Sequence, residues 1–255
     1  MGVLATTGLL LHSGAPSAAI ENLKVVRGVL ILEGKIQAGD YVSVRSFLSE
    51  TSNFEKMNGK VFLASQGGNA DEALKIGYLI RHLRLSTDAP SHPPPSGGSS
   101  VVLPIDLANS RNYQCASACF LLYVAGIYRN FIWAGRLGIH QPQVEIKPIG
   151  TAENDISMAA DNLRKRIKLY LEEMNVPSRY FDLMYSVSPS EVYWLTQSEL
   201  NSDLEGYVPE VRALLEARCN LAGQKRPDEI DRCVAQANAE LRSEAWSKIF
   251  RPRSD

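Results

Sequence analysis

The sequence has almost no net charge and no long apolar run, and each absence excludes a class of protein. Lys and Arg number 27 and Asp and Glu number 28, which leaves a net charge of −1. Dedicated nucleic-acid-binding proteins usually have a marked basic excess, so this balance argues against one. No stretch of about 18 consecutive apolar residues occurs, and no transmembrane span is predicted. The 255 residues suffice for one large domain, or one domain with an appendage, whose core needs no disulfide framework.

The N-terminal segment, 1–24, has some features of a signal peptide and lacks another. Residues 3–11 are largely apolar, and 17–19 are the small residues that a signal peptidase accepts. The first basic residue is Lys24, so the positively charged start of a signal peptide is missing. We expect export, because the cysteines point the same way. A packed or disordered tail on a cytoplasmic protein is the alternative.

Short apolar runs alternate with amphipathic segments in the first half of the chain. Runs rich in β-branched and aliphatic residues favour strands, and apolar residues spaced three and four apart favour helices. We therefore predict three strands, at 25–33, 60–64 and 101–105, and two helices, at 41–49 and 69–83. This βαβ rhythm predicts an α/β fold with a mostly parallel sheet covered by helices.

The second half continues this pattern after a segment rich in Pro, Gly and Ser at 89–100. We interpret that segment as a surface insertion, because the βαβ rhythm resumes directly after it. A buried helix is predicted at 115–126, two short strands within 131–140, and a long helix at 152–174.

A general base can be sought among very few side chains, because the chain has only four histidines. His140 ends an apolar strand and is followed by Gln141 and Pro142, which lead the chain into a loop. Catalytic groups gather at strand ends in α/β sheets, although a histidine at such a position is often structural. The other three lie in the N-terminal segment, on the polar side of a helix and in the proline-rich insertion: His12, His82 and His92.

Ser117 and the Gly67-Gly68 pair occupy places where backbone N–H groups can face a ligand. Ser117 starts the apolar helix between two alanines, so a carbonyl group can approach its hydroxyl closely. Free N–H groups at a helix start suit a developing oxyanion, but a serine there can also be a simple N-cap. Gly67-Gly68 lies between a strand and a helix, which also describes an ordinary tight turn.

Together these segments resemble the proteolytic subunit of the Clp protease, within the Clp/crotonase fold group. The resemblance covers roughly residues 25–208. Residues 65–68 are similar to the family's Ser-Pro-Gly-Gly turn, with Gln in place of Pro. Residues 116–119 are similar to its Ala-Ser-Met-Gly-type helix start, and 139–142 to its Ile-His-Gln-Pro strand end. The resemblance implies a core of repeated ββα units wound as a superhelix with a mostly parallel sheet. The pattern of the residues themselves adds a C-terminal helical hairpin within 209–255.

Carried over by position, the resemblance assigns roles to four residues. Ser117 is the nucleophile and His140 its general base, while Gly68 and Ala118 supply the N–H groups of an oxyanion hole. These roles imply a serine peptidase, or more broadly an acyl hydrolase, acting on a peptide or protein substrate. Neither a cofactor nor a metal ion is implied.

The third member of the triad does not carry over cleanly. Strict register places Val192 at the family's acid position, and a one-residue shift would let Glu191 orient His140. Asp182 is the next choice, and otherwise the site is a Ser–His dyad or is inactive. The alternatives in function are therefore a catalytically inactive binding module and a crotonase-like acyl-CoA enzyme.

The resemblance also bears on assembly and location. Members of the fold group usually form trimers or larger rings, so a homo-oligomer is expected. The insertion at 89–100 and the C-terminal hairpin have no counterpart in the compact protease, which puts a stacked double ring in doubt. A Cys-Ala-Ser-Ala-Cys-like helix start is shared with exported bacterial relatives, which favours a periplasmic or secreted protein over a cytoplasmic one.

The four cysteines form two pairs along the sequence. Cys115 and Cys119 flank Ser117, and they suit a disulfide only if Cys115 precedes the helix. Cys219 and Cys233 lie on two further predicted helices, at 209–221 and 227–249. We expect a disulfide between these two, with free thiols or a metal site as alternatives, and such a disulfide implies an oxidising compartment.

Overall fold

The computed structural model describes residues 20–89, 114–131, 136–143, 153–221 and 226–251. The predicted strand at 101–105 lies outside these ranges, as does the N-terminal segment before residue 20 and the proline-rich insertion after Ala89.

The described chain is a mixture of strands and helices. The elements before the insertion are β1 (Ile20–Val26), β2 (Val29–Gly34), α1 (Asp40–Ser49), α2 (Thr51–Glu55), β3 (Lys60–Ala64), α3 (Ala70–His82) and β4 (Ser86–Ala89). The elements after it are β5 (Gln114–Ala116), α4 (Ala118–Val124), β6 (Tyr128–Phe131), β7 (Arg136–Ile139), α5 (Glu153–Glu173), α6 (Ser178–Ser186), β8 (Tyr193–Trp194), α7 (Gln197–Glu199), a π-helical turn (Leu200–Leu204), β9 (Gly206–Tyr207), α8 (Pro209–Cys219) and α9 (Pro227–Phe250).

Two sheets organise these elements. The larger has six strands in the order β1-β2-β3-β4-β6-β9. Its four inner strands are parallel, and the two edge strands are antiparallel to their neighbours. The smaller sheet has the order β5-β7-β8, with β5 and β7 parallel. The predicted α/β class with a mostly parallel central sheet is therefore confirmed.

The first predicted strand, 25–33, is wrong as a single element. The chain reverses at Arg27 and Gly28, whose φ angles are 49° and 84°, and β1 pairs with β2 as an antiparallel hairpin. Two successive residues with positive φ are typical of the tight turns that join hairpin strands. Because both flanks of the turn are aliphatic, the composition alone does not separate the two strands.

Two further differences lie near the centre of the fold. The polar strand β4 is absent from the sequence prediction, although its Thr87 is buried and its hydroxyl donates to the Tyr123 carbonyl at 2.7 Å. The predicted helix at 115–126 begins only at Ala118, because Cys115 and Ala116 belong to β5. A bridge between Ser65 and Cys115 joins the end of β3 to β5, and it links the two sheets.

Helix α5 is held against the central helices by a buried tyrosine. The Tyr170 side chain is fully buried, and its hydroxyl donates to the Leu121 carbonyl at 2.7 Å. A Cβ atom at Gly77 would lie only 1.9 Å from that hydroxyl oxygen. The close approach of α5 to α3 therefore depends on the missing side chain.

The two helices predicted at 209–221 and 227–249 are present as α8 and α9, and a disulfide joins Cys219 to Cys233 with a Cα–Cα distance of 5.7 Å. Helix α9 packs back on the first part of the chain, where Trp246 Nε1 donates to the Leu48 carbonyl at 2.7 Å. Within the described ranges, no helix has both the length and the apolar character that crossing a membrane requires.

Candidate active site

Ser117 lies at the corner between strand β5 and helix α4 and has an unusual backbone conformation. Its φ and ψ angles are 56° and −124°, and it occupies the N-cap position without forming a side-chain capping hydrogen bond. The N-cap role that was the alternative for this serine is therefore not the one its hydroxyl has. Its N–H group donates to the Gly138 carbonyl at 2.9 Å, and the residue is half-buried.

This conformation requires support from the surrounding structure. A non-glycine residue held in such a sparsely populated region costs about 1–3 kcal/mol, and residues of this kind cluster at active sites. Support comes from both sides of Ser117. The N–H group of Ala116 donates to the Ser65 carbonyl at 3.0 Å, and a disulfide joins Cys115 to Cys119 across the corner.

The Gly67-Gly68 turn packs directly against this corner. Both glycines have positive φ, 98° and 136°. A Cβ atom at Gly67 would lie 2.5 Å from the Ser117 Cβ atom, and one at Gly68 would lie 2.1 Å from the Ile36 carbonyl oxygen. Only glycine permits this contact at either position, so the turn lies as close to the serine as the backbone allows.

The Gly67-Gly68 turn and the start of α4, which carry the two N–H groups assigned to an oxyanion hole, are adjacent. The Gly68 N–H group has no acceptor within the described part of the chain. The Ala118 nitrogen lies 3.1 Å from the position of a Cβ atom on Gly67, so Ala118 is next to the same turn. Unpaired N–H groups beside a serine hydroxyl are suited to stabilise negative charge on a carbonyl oxygen.

His140 follows β7, the strand that pairs in parallel with β5. Because Ala116 is opposite Gly138 in that pair, Ser117 and His140 leave neighbouring strands at the same edge. His140 is half-buried. Burial lowers the pKa of its imidazole, and an interaction with the Gln141 backbone acts in the opposite direction. A lowered pKa keeps the ring neutral at pH 7, the form that accepts a proton.

Glu191 does not hydrogen bond to the Nδ1 atom of His140, because that atom has no partner among the described residues. The role of Glu191 as the acid stays a prediction. Strand β8 pairs with β7 so that Gly138 is opposite Trp194 and Ile139 is opposite Tyr193. The ladder ends there, and Glu191, which lies two residues before β8, is exposed. Beyond β7, the Gln141 N–H group donates to the Val187 carbonyl at 3.0 Å.

No other carboxylate takes this place among the described residues. The Nδ1 atom of His140 is buried and has no hydrogen-bond partner there. Asp182, the second choice for the acid, is exposed on helix α6. Among the described residues, the glycine turn packs against Ser117, and His140 follows the strand that pairs with β5.

The Cys115–Cys119 disulfide is the part of the site that the sequence did not predict. A disulfide between these two cysteines required that Cys115 precede the helix. The structure meets this requirement, because Cys115 lies in β5. The signal that could have revealed it is the strand-to-helix corner at Ser117, which the apolar run 115–126 concealed.

Comparisons with known proteins add little. No protein-family model matches the sequence, and no curated protein matches it. Among solved structures, the chain is similar to a mutant of ClpP1 from Listeria monocytogenes. The two are 16% identical over 69% of this chain and 86% of that chain, with a TM-score of 0.44. A likeness this distant does not decide the function.

Proposed function

We propose that this protein is a serine hydrolase, with Ser117 as nucleophile and His140 as general base. The observation that carries the proposal is the conformation of Ser117. Its backbone is held in a sparsely populated region, its hydroxyl does not cap the helix, and a glycine turn packs against it. An N-cap serine with a purely structural role needs none of these features.

The proposed chemistry is acyl transfer through a covalent intermediate. Neutral His140 takes the hydroxyl proton as the Ser117 oxygen attacks an acyl carbon. The N–H groups of Gly68 and Ala118 stabilise the resulting oxyanion, an interaction worth about 3–4 kcal/mol for a well-placed donor. The imidazolium then gives its proton to the leaving group, and water releases the acyl group by the reverse sequence.

A peptide or protein substrate is part of this proposal and rests on the sequence resemblance to the Clp protease. The same resemblance supports a superhelical core of repeated ββα units and a homo-oligomer. Location in the periplasm or outside a bacterial cell is proposed because two disulfides join all four cysteines of the chain, and disulfides persist in oxidising compartments.

The test is labelling with a fluorophosphonate probe, followed by identification of the modified residue by mass spectrometry. Labelling is expected at Ser117 and is expected to disappear in Ser117→Ala. It is expected to fall by at least about 100-fold in His140→Ala, since general-base catalysis is commonly worth that much. His82→Ala, which alters an exposed histidine on α3, is the matched control and should label normally.

The second candidate is a catalytically inactive binding module. It is favoured by one observation, the buried Nδ1 atom of His140 that has no partner among the described residues. Folded wild-type protein that shows no labelling between pH 6 and pH 9 would make this candidate the better one.

A further inference from the structure

The Cys115–Cys119 disulfide closes a five-residue loop whose central residue is Ser117. The two Cα atoms are 5.1 Å apart. Cys115 lies in β5, and Cys119 lies in the first turn of α4. No other covalent constraint in the described chain lies near the corner. The bond therefore ties the strand to the helix at the point where Ser117 departs from ordinary backbone geometry.

Beside the packing of the glycine turn, two backbone hydrogen bonds hold Ser117 in place. Its N–H group donates to the Gly138 carbonyl at 2.9 Å, and its carbonyl accepts from the Phe120 N–H group at 2.9 Å. Its own side chain contributes no capping bond. A residue with positive φ tends to relax to an ordinary conformation unless its neighbours prevent it, and the loop closed by the disulfide restricts that relaxation.

We propose that the Cys115–Cys119 disulfide positions the nucleophile, and that the protein gains most of its hydrolase activity when this bond forms. The inference rests on the proposed function. Cys115 and Cys119 are positioning residues, since they act through Ser117 and do not touch the reacting atoms. The site is then much less active in a reducing compartment and reaches full activity after oxidation.

Formation of the bond is a two-electron oxidation. Two thiols lose two protons and two electrons as the S–S bond forms, and a disulfide of an oxidising protein accepts them by thiol–disulfide exchange and becomes two thiols. Cys115 and Cys119 are both fully buried. Once the protein has folded, external reductants reach the bond poorly, so the bond is a maturation step and not a reversible switch.

The chain contains a matched control, the second disulfide on the C-terminal hairpin. Cys219 is buried and Cys233 is half-buried, and both lie on helices α8 and α9, which carry none of the proposed site residues. Removing this bond tests the general effect of losing a disulfide, whereas removing the first tests its effect on Ser117.

The experiment compares Cys115→Ala/Cys119→Ala with Cys219→Ala/Cys233→Ala. The readouts are the rate of fluorophosphonate labelling, kcat and KM for a p-nitrophenyl ester, and hydrogen exchange of the peptide 114–121. In the first variant we expect labelling and kcat to fall about 10- to 100-fold, because small misplacements of a nucleophile have effects of that size. We expect KM to change little and the amides of Ala116 and Ser117 to exchange faster. In the second variant all these quantities should stay within about twofold of wild type.

The exchange measurement separates failure of this inference from failure of the proposed function. Wild-type protein that never labels at Ser117 contradicts the proposed hydrolase function. Faster exchange in the first variant would still support a role of the disulfide in holding Ser117 in place. Unchanged exchange together with unchanged labelling in the first variant contradicts the positioning role of the disulfide and agrees with the proposed hydrolase function. If the alanine pair does not fold, Cys115→Val/Cys119→Ala keeps more of the buried volume and is measured in the same way.

Discussion

At the scale of single residues, Val192 is the position that decides whether His140 has a partner. It lies opposite His140 when the β7–β8 register is continued by one step, and it is 36% exposed, so a polar side chain is tolerated there. The family that the sequence resembles has an acid at this place. We therefore expect an aspartate at 192 to supply His140 with a carboxylate.

We predict that Val192→Asp speeds fluorophosphonate labelling by about 10-fold and shifts its pH dependence. Wild-type labelling should fall with decreasing pH through a midpoint below the ordinary histidine value of about 6.5, because burial lowers the pKa of His140. A nearby carboxylate stabilises the imidazolium, so the midpoint should move up in the variant. Val192→Asn is the control for shape, and an equal midpoint in both variants would contradict the placement.

Gly67 is the second residue whose role can be tested directly. We predict that Gly67→Ala reduces labelling of Ser117 at least about 10-fold, because its Cβ atom would lie 2.5 Å from the Ser117 Cβ atom and 2.7 Å from the Ala116 carbonyl oxygen. The backbone must move, and small displacements at a catalytic site have effects of that size.

Gly28→Ala is the control for the backbone strain alone. Gly28 also has positive φ, but its nearest neighbouring atom would be 3.4 Å away. Both substitutions should lower stability, by about 1 kcal/mol for the strain, yet only the change at Gly67 should affect labelling. Equal labelling in the two variants would show that the glycine turn does not support the site.

At the scale of elements, helix α9 is predicted to stabilise the N-terminal part of the fold. Trp246 is buried, stacks on Phe54 with ring centroids 5.6 Å apart, and donates to the Leu48 carbonyl. Trp246→Ala should lower the free energy of unfolding by about 3–5 kcal/mol, as large-to-small changes in a core do.

Trp246→Phe separates packing from the hydrogen bond. It should cost much less than the alanine, about 1–3 kcal/mol, because it keeps most of the apolar contact and leaves the Leu48 carbonyl without its donor. Denaturant unfolding followed by circular dichroism measures both values. A loss below about 1 kcal/mol for the alanine variant would mean that α9 is only loosely attached.

At the scale of the whole molecule, the testable expectation is self-association. The chain is expected to form a homo-oligomer, and sedimentation equilibrium should therefore give a mass that is a multiple of 28.1 kDa. Because homo-oligomers usually have closed symmetry, a single discrete species larger than one chain is expected. A monomer at all concentrations would contradict the expectation, and labelling of that monomer would show that the site does not depend on assembly.

Much of the architecture could be read from local patterns. The strand at 60–64 and the helices at 69–83, 152–174 and 227–249 have counterparts in β3, α3, α5 and α9, since each has the apolar periodicity of its element. The hairpin at Arg27 and the strand β4 could not be read in this way. The first has aliphatic residues on both sides of its turn, and the second is too short and polar to stand out.

The candidate site also has features that the sequence predicts and features that it does not. The sequence by itself determined which residues to consider. The chain has only four histidines, and Ser117, His140 and the glycine pair each lie in a segment that resembles a motif of the Clp protease. Only the tertiary structure decided how their elements are arranged. The strands before Ser117 and His140 pair in parallel, and the strand-to-helix corner lets Cys115 reach Cys119. The physical reason is that strand register and disulfide pairing depend on the three-dimensional arrangement of the chain, which local composition does not reveal.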